Sequence, residues 1–106
     1  MKKTLKDLEK IIKGKKVYIW GAMIVGQGVC RALERHKIKI KAFLDSSQSV
    51  HGKSVLGYQI LSAQKLIKNF PDKNSVIIIS SGHYDLEIEQ ICKKTGLNKD
   101  IHYVMS

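Results

Sequence analysis

A chain of 106 residues with 43% hydrophobic and 26% charged residues has room for one hydrophobic core and not two, and its composition is that of an ordinary globule rather than of a globally disordered chain. Its formal net charge of +10 invites anionic partners, but arginine is scarce and no nucleic-acid module is recognisable, so nucleic acid is not the expected partner. No apolar run approaches the roughly 20 residues that span a bilayer, and the basic start lacks the apolar stretch of a signal peptide, so a cytoplasmic protein is expected.

The first element is a helix over Thr4–Lys13, capped by Thr4 with Asp7 and stopped at Gly14. Leu5, Leu8, Ile11 and Ile12 line one face, too short a stripe for a membrane-surface helix; it reads as packed on or flanking the domain, residues 1–14 of a single unit 1–106. Seven of the 19 basic residues fall in the first sixteen positions.

Val17–Trp20 is apolar throughout, as a strand covered on both faces should be. It meets a turn punctuated by Gly21 and Gly26 and continues into a helix whose apolar positions are Val25, Val29, Ala32 and Leu33. Ile38–Leu44 reads as the second strand, ended by Asp45. Residues 46–60 read as a long loop with an extended piece at Tyr58–Leu61. A helix follows from Ser62 to about Phe70, ended by Pro71. Val76–Ile79, β-branched throughout, is a central strand. The stretch Ser80-Ser81-Gly82-His83 leads into a helix over Tyr84–Thr95, with Ile88, Ile91, Cys92 and Thr95 as its buried stripe and acids and lysines at the ends that the helix dipole favours. Ile101–Val104 closes the chain as an edge strand. The order predicts an α/β fold, a doubly wound, three-layer, mostly parallel sheet of four or five strands, with the second and third main strands on either side of the first.

Cys30 and Cys92 fall on apolar helix positions and are expected to be buried reduced thiols; His36, His51 and His102 are scattered and form no metal site.

Three features converge on the carboxyl edge of such a sheet: the turn Gly21 to Gly26, the acid Asp45 with Ser46, and the loop Ser80 to His83. Asp45 stands 24 positions after Gly21, close to the offset at which a dinucleotide-binding fold presents an acid to ribose hydroxyls. The turn reads Gly21-Ala22-Met23-Ile24-Val25-Gly26, so Met23 replaces the second glycine of G-x-G-x-x-G and adds bulk where a pyrophosphate would approach. Gln27 and Gly28 replace the Lys-Ser/Thr of a P-loop, which excludes that reading. Arg31, Arg35 and Lys53 are expected to draw an anion toward the site. His83 and Tyr84 are the residues suited to proton transfer, but a histidine at a helix start is an ordinary loop residue, and no catalytic residue is assigned.

The run Val17-Tyr18-Ile19-Trp20-Gly21-Ala22 with Gly26, then Ala42-Phe43-Leu44-Asp45, Gly52-Lys53 and Gly57-Tyr58-Gln59-Ile60, resembles a Rossmann-like nucleotide-binding domain of bacterial surface-polysaccharide proteins. It is similar to the amino-terminal domains of membrane-linked nucleotide-sugar dehydratases and the carboxy-terminal domains of some sugar C-methyltransferases. The resemblance implies a module that accompanies a separate catalytic domain or subunit and binds a nucleotide, with binding positions at Gly21, Ala22, Gly26 and Asp45. The expected reading is a non-catalytic module for NAD or a nucleotide sugar, its site formed by Gly21, Ala22, Met23, Ile24, Gly26, Asp45, Ser46, Ser80, Ser81, Gly82 and His83. The alternative is a domain that has lost its ligand and serves protein contacts.

Overall fold

The structure, a computed structural model, describes residues 4–70 and 74–106. The first helix, α1 (Leu5–Ile12), is closed by the expected capping box: the Asp7 amide donates to Thr4 Oγ1 at 3.1 Å and the Thr4 amide to Asp7 Oδ2 at 3.4 Å. Gly14 then takes φ +74°, turning the chain into the first strand, β1 (Lys16–Trp20). The other elements are α2 (Ile24–Arg35), β2 (Ala42–Asp45), a 3-10 turn (Gln48–Val50), β3 (Ser54–Val55), β4 (Tyr58–Ser62), α3 (Ala63–Ile67), β5 (Ser75–Ile79), α4 (Asp85–Lys94) and β6 (Tyr103–Met105).

The strands form one six-stranded sheet in the order β3-β4-β2-β1-β5-β6, parallel except where β3 pairs antiparallel with β4. β1 lies between β2 and β5, as right-handed crossovers require. Alternation along the strands divides the core in two. Val17, Ile19, Phe43, Val76 and Ile78 face α1 and α2, packing with Leu8, Ile12, Cys30 and Leu33. Tyr18, Trp20, Leu44, Ile77 and Ile79 face α3 and α4, packing with Ala63, Ile67, Ile88 and Cys92. The result is the three-layer, doubly wound arrangement the sequence predicts, and both cysteines are buried and free.

The stretch expected to be a long loop is the largest departure, although its expected extended piece, Tyr58–Leu61, is there as β4. Residues 54–62 form a hairpin whose two-residue turn, Leu56-Gly57, has φ of +53° and +83°, the primed geometry that matches strand twist. Through β4 the hairpin joins β2 in parallel, bringing the sheet to six strands rather than four or five. Leucine at the first turn position hid the signal, since Asn or Gly usually marks it. Tyr58 anchors the hairpin, donating to Glu34 Oε2 at 2.9 Å and meeting Phe43 edge-on with centroids 6.2 Å apart.

Smaller corrections follow the same logic of burial. β2 begins at Ala42 rather than Ile38, although Ile40 is buried beside it, and the last strand is Tyr103–Met105, leaving Ile101 outside the sheet and 55% exposed. α3 ends at Ile67, short of Phe70; its expected stop at Pro71 lies outside the described residues, as does the side chain of Leu5. On α2 the buried positions are Gly26, Cys30 and Leu33, while Val25 is 49% exposed.

On α4 the buried set includes Glu89, at 8% exposure, while Ile91 is 40% exposed. Glu89 is tolerated inside because Tyr103 Oη donates to its Oε2 at 2.9 Å and Lys99 Nζ lies 3.8 Å from the same oxygen. The pair ties α4 to the edge strand β6. Tyr103→Phe is expected to cost about 1–3 kcal/mol, because it removes the donor and leaves a buried carboxylate short of a partner. Urea unfolding of the two proteins at neutral pH measures this.

Candidate functional site

The carboxyl ends of β1, β2 and β5 are locked together by backbone hydrogen bonds, Gly21 N–H to Leu44 C=O at 2.9 Å and Ser80 N–H to Trp20 C=O at 3.0 Å. Above them opens a cleft of about 640 Å³, with the first turn of α2 on one side and α4 on the other. It sits where the chain's direction of winding reverses, between β1 and β5, the usual ligand position in an open α/β sheet.

Both glycines of the turn are demanded by the fold itself. Gly21 has φ +132°, and a Cβ there would overlap Ser80 O and lie 2.8 Å from Ser80 C and 3.0 Å from Ser81 Cα. On Gly26 a Cβ would overlap Gly21 O and come within 3.2 Å of Ile19 Cγ2. The first glycine lets two loops cross, and the second lets α2 sit directly on the strand end. Met23 occupies the middle position with φ −95° and ψ −158°, extended backbone that any residue adopts. Its side chain is 68% exposed and lines the cleft.

The ladder of α2 begins with Gln27 N–H to Met23 C=O at 2.9 Å, and Met23 provides no side-chain cap. The amides of Ile24, Val25 and Gly26 are therefore the donors that every helix start leaves without an intrahelical acceptor. Gln27 Nε2 donates back to Ala22 C=O at 3.0 Å and stiffens the turn.

Asp45, the last residue of β2, reaches the same cleft. Its Oδ1 accepts from Ser47 N–H at 2.9 Å, and its carbonyl meets His51 Nε2 at 2.7 Å, so the loop behind it holds the carboxylate in place. The two serines of the opposite loop are already engaged. Ser80 Oγ lies 2.6 Å from Ser106 Oγ, while Ser81 donates to Asp85 Oδ1 through its amide at 2.7 Å and its hydroxyl at 2.9 Å, an arrangement that orders the start of α4.

Of the residues singled out from sequence, Gly21, Met23, Ile24, Asp45, Ser46, Ser80 and Ser81 line the cleft. Ala22 and Gly26 are buried beneath it, and the exposed Gly82 and His83 are outside the lining. The lining also contains Trp20, Val25, Ser47, Tyr84, Glu87, Ile88 and Ile91, which sequence reasoning did not assign to the site. The spacing 84, 87/88, 91 on one face of α4 was the available signal; it reads equally well as a core stripe.

The charge of the cleft corrects a further expectation. Arg31, Arg35 and Lys53 do not line it, and its charged residues are two carboxylates, Asp45 and Glu87. Arg31 and Arg35 lie in the second half of α2, about 10 and 16 Å along the axis from its first residue, so the helix carries them away from the cleft. Among the described residues no cluster of His, Cys, Asp and Glu could hold a metal ion, and no helix is long and apolar enough to cross a membrane.

The fold is shared with solved Rossmann-type structures. RSP, a Rex-family repressor, superposes with a TM-score of 0.62 at 13% identity, over 96% of this chain and 57% of RSP. The complex of RSP with β-NADH gives 0.60 at 14% identity, over 95% of this chain and 59% of that one. UDP-D-quinovosamine 4-dehydrogenase from Vibrio fischeri gives 0.56 at 23% identity, over 86% of this chain and 75% of that one. The chain thus spans less than two thirds of RSP, and at these identities the likeness is one of fold. No curated protein matches the sequence. A family model described as C2185-like, N-terminal matches residues 13–101.

Proposed function

The chain belongs to the C2185-like N-terminal family, and from that premise we propose that it is a nucleotide-binding module whose ligand lies in the cleft above β1 and β5. The observation that carries the reading is the meeting of Asp45 with the open first turn of α2 over one cavity. A carboxylate there accepts from two vicinal ribose hydroxyls, while the first-turn amides and the positive end of the helix dipole receive a phosphate. Apolar walls, Met23, Ile24 and Val25 facing Tyr84, Ile88 and Ile91, suit a flat ring.

With carboxylates as the charged lining, the site favours a ligand whose phosphate charge is small and spread along a diester, as in NAD or a UDP-sugar, over one with a 2′-phosphate or a terminal phosphate. RSP with β-NADH and the UDP-quinovosamine dehydrogenase support both ligand classes. The resemblance to nucleotide-sugar proteins supports a role beside a catalytic partner in bacterial sugar or polysaccharide synthesis, with no catalytic residue in this chain.

A thermal-shift panel of NAD, NADP, UDP-sugars, UDP and ATP tests this. A ligand at about 100 times its dissociation constant adds roughly 2.7 kcal/mol and moves the midpoint by on the order of 10 °C. Asp45→Asn keeps an oxygen for the Ser47 amide and loses the charge, and it is expected to weaken binding by roughly 10- to 100-fold, the worth of a charged hydrogen bond. Flat traces across the panel favour the second reading, a protein-contact module, for which the exposed Met23 and Ile24 (68% and 85%) supply an apolar surface.

A further inference from the structure

The nucleotide reading does not use the protein's charge. Because the five long strands run parallel, the segments that enter them meet at one pole, opposite the cleft. Into that pole run residues 13–16, 36–41 and 96–102. The first and third meet where Lys15 Nζ donates to Ile101 C=O at 3.0 Å, and the second is tied to β1 and α1, Lys41 N–H donating to Val17 C=O at 2.7 Å and His36 Nδ1 lying 3.4 Å from Glu9 Oε1. Lys13, Lys16, Lys37, Lys39 and Lys41 are all exposed there, Lys99 is exposed but lies against Glu89, and the acids beside them are Asp100 within the segments and Glu9 on α1.

One apolar side chain stands among these lysines. Ile101 is 55% exposed at the tip of a turn braced by His102 N–H to Asn98 C=O and Asn98 N–H to His102 Nδ1, both 2.8 Å, with Asp100 at φ +64°. The turn therefore presents Ile101 in a fixed position rather than letting it fold back.

We infer that this pole docks on an anionic lipid bilayer, with the lysines on the headgroups and Ile101 inserted between them. Charge complementarity and the apolar tip together select the partner. A lipid surface rewards both features, and lysine stems can lie along it with their ammonium groups in the headgroup layer. A nucleic acid would leave Ile101 without a use, and the three segments contain no arginine for base edges and no Phe, Tyr or Trp for stacking. Docked this way, the cleft faces the aqueous phase across a molecule 25–32 Å in extent, open to a soluble ligand.

Co-sedimentation of the full chain with vesicles tests this, using phosphatidylcholine alone or with about a third phosphatidylglycerol. Binding is expected to the anionic vesicles alone at about 0.1 M salt and to be lost at about 0.5 M. A factor of about five per lysine predicts that Lys13→Glu, Lys37→Glu and Lys39→Glu together weaken binding by roughly a hundredfold or more. Ile101→Ser should weaken it by roughly tenfold without changing the salt dependence. All four positions are exposed, and unchanged thermal unfolding confirms that the variants fold; the matching Lys→Gln set replaces the Glu set if it does not. Equal pelleting with neutral vesicles, no pelleting with either, or indifference to the lysine and Ile101 variants would overturn the inference. So would displacement from anionic vesicles by an equal charge of duplex DNA, which assigns the pole to nucleic acid.

Discussion

Gly26→Ala is expected to remove about 3 kcal/mol or more of folding stability, a large share of a total that is on the order of 5–15 kcal/mol. Gly28→Ala, two residues along the same helix, is expected to add about 0.5–1 kcal/mol. The opposite signs come from what each new methyl group meets. On Gly26 it would overlap the Gly21 carbonyl oxygen and press on the carbonyl carbon at 2.8 Å, both backbone atoms that move only if the strand end moves. On Gly28 it would meet nothing within 4 Å, so the gain in helix propensity is unopposed. Urea unfolding of both variants checks the pair. Equal effects from the two would mean that Gly26 serves the ligand rather than the packing of α2.

Alkaline unfolding is the second large effect. Burial pushes the thiol of Cys30 up from its ordinary 9.0 to about 11, with the Glu34 carboxylate adding to the rise and Arg31 opposing it. Cys92 rises to about 12, again through burial first and then the charge of Glu89. Tyr103 is raised as well, by burial and by its hydrogen bond to Glu89. In the unfolded chain the thiols lose their protons as pH passes about 9, while the folded chain holds them. Above that pH the unfolded state binds fewer protons, so stability is intact below pH 9 and falls as pH rises toward 11–12. At about 1.4 kcal/mol per unit, two thiols held protonated to pH 11 cost on the order of 5 kcal/mol, comparable with the whole stability. Urea midpoints at pH 8, 9.5 and 10.5 should therefore drop steeply, and Cys30→Ala with Cys92→Ala should flatten most of the slope. A slope unchanged in the double variant would place the titration elsewhere.

Both predictions concern features that the sequence displays without explaining. Gly26 was legible as a fingerprint position, which suggested contact with a phosphate; only the structure shows that its missing side chain makes room for Gly21. The cysteines were legible as buried because each falls on an apolar helix position, a local pattern. Ser80 and Ser81 were legible as loop residues near the site, but their partners, Ser106 and Asp85, follow from how the chain closes.

What the sequence by itself determined is the order of the main elements and the face each turns inward. Apolar spacing along a strand or helix is a local property, and parallel winding follows from alternation with helices. Asp45 at the end of β2 and the turn from Gly21 to Gly26 were placed correctly on that basis. The tertiary structure alone decided the hairpin, whose turn carries a leucine, and the burial of Glu89, which depends on Tyr103 14 residues away. It also decided where the charge lies. In sequence the lysines are spread along the chain, and Arg31 and Arg35 stand only a few residues past the turn. A helix carries each residue 1.5 Å along its axis, and parallel strands gather the entering loops at one end, so folding gathers a group of lysines at the pole opposite the cleft and leaves Asp45 and Glu87 as the charged residues lining the cleft.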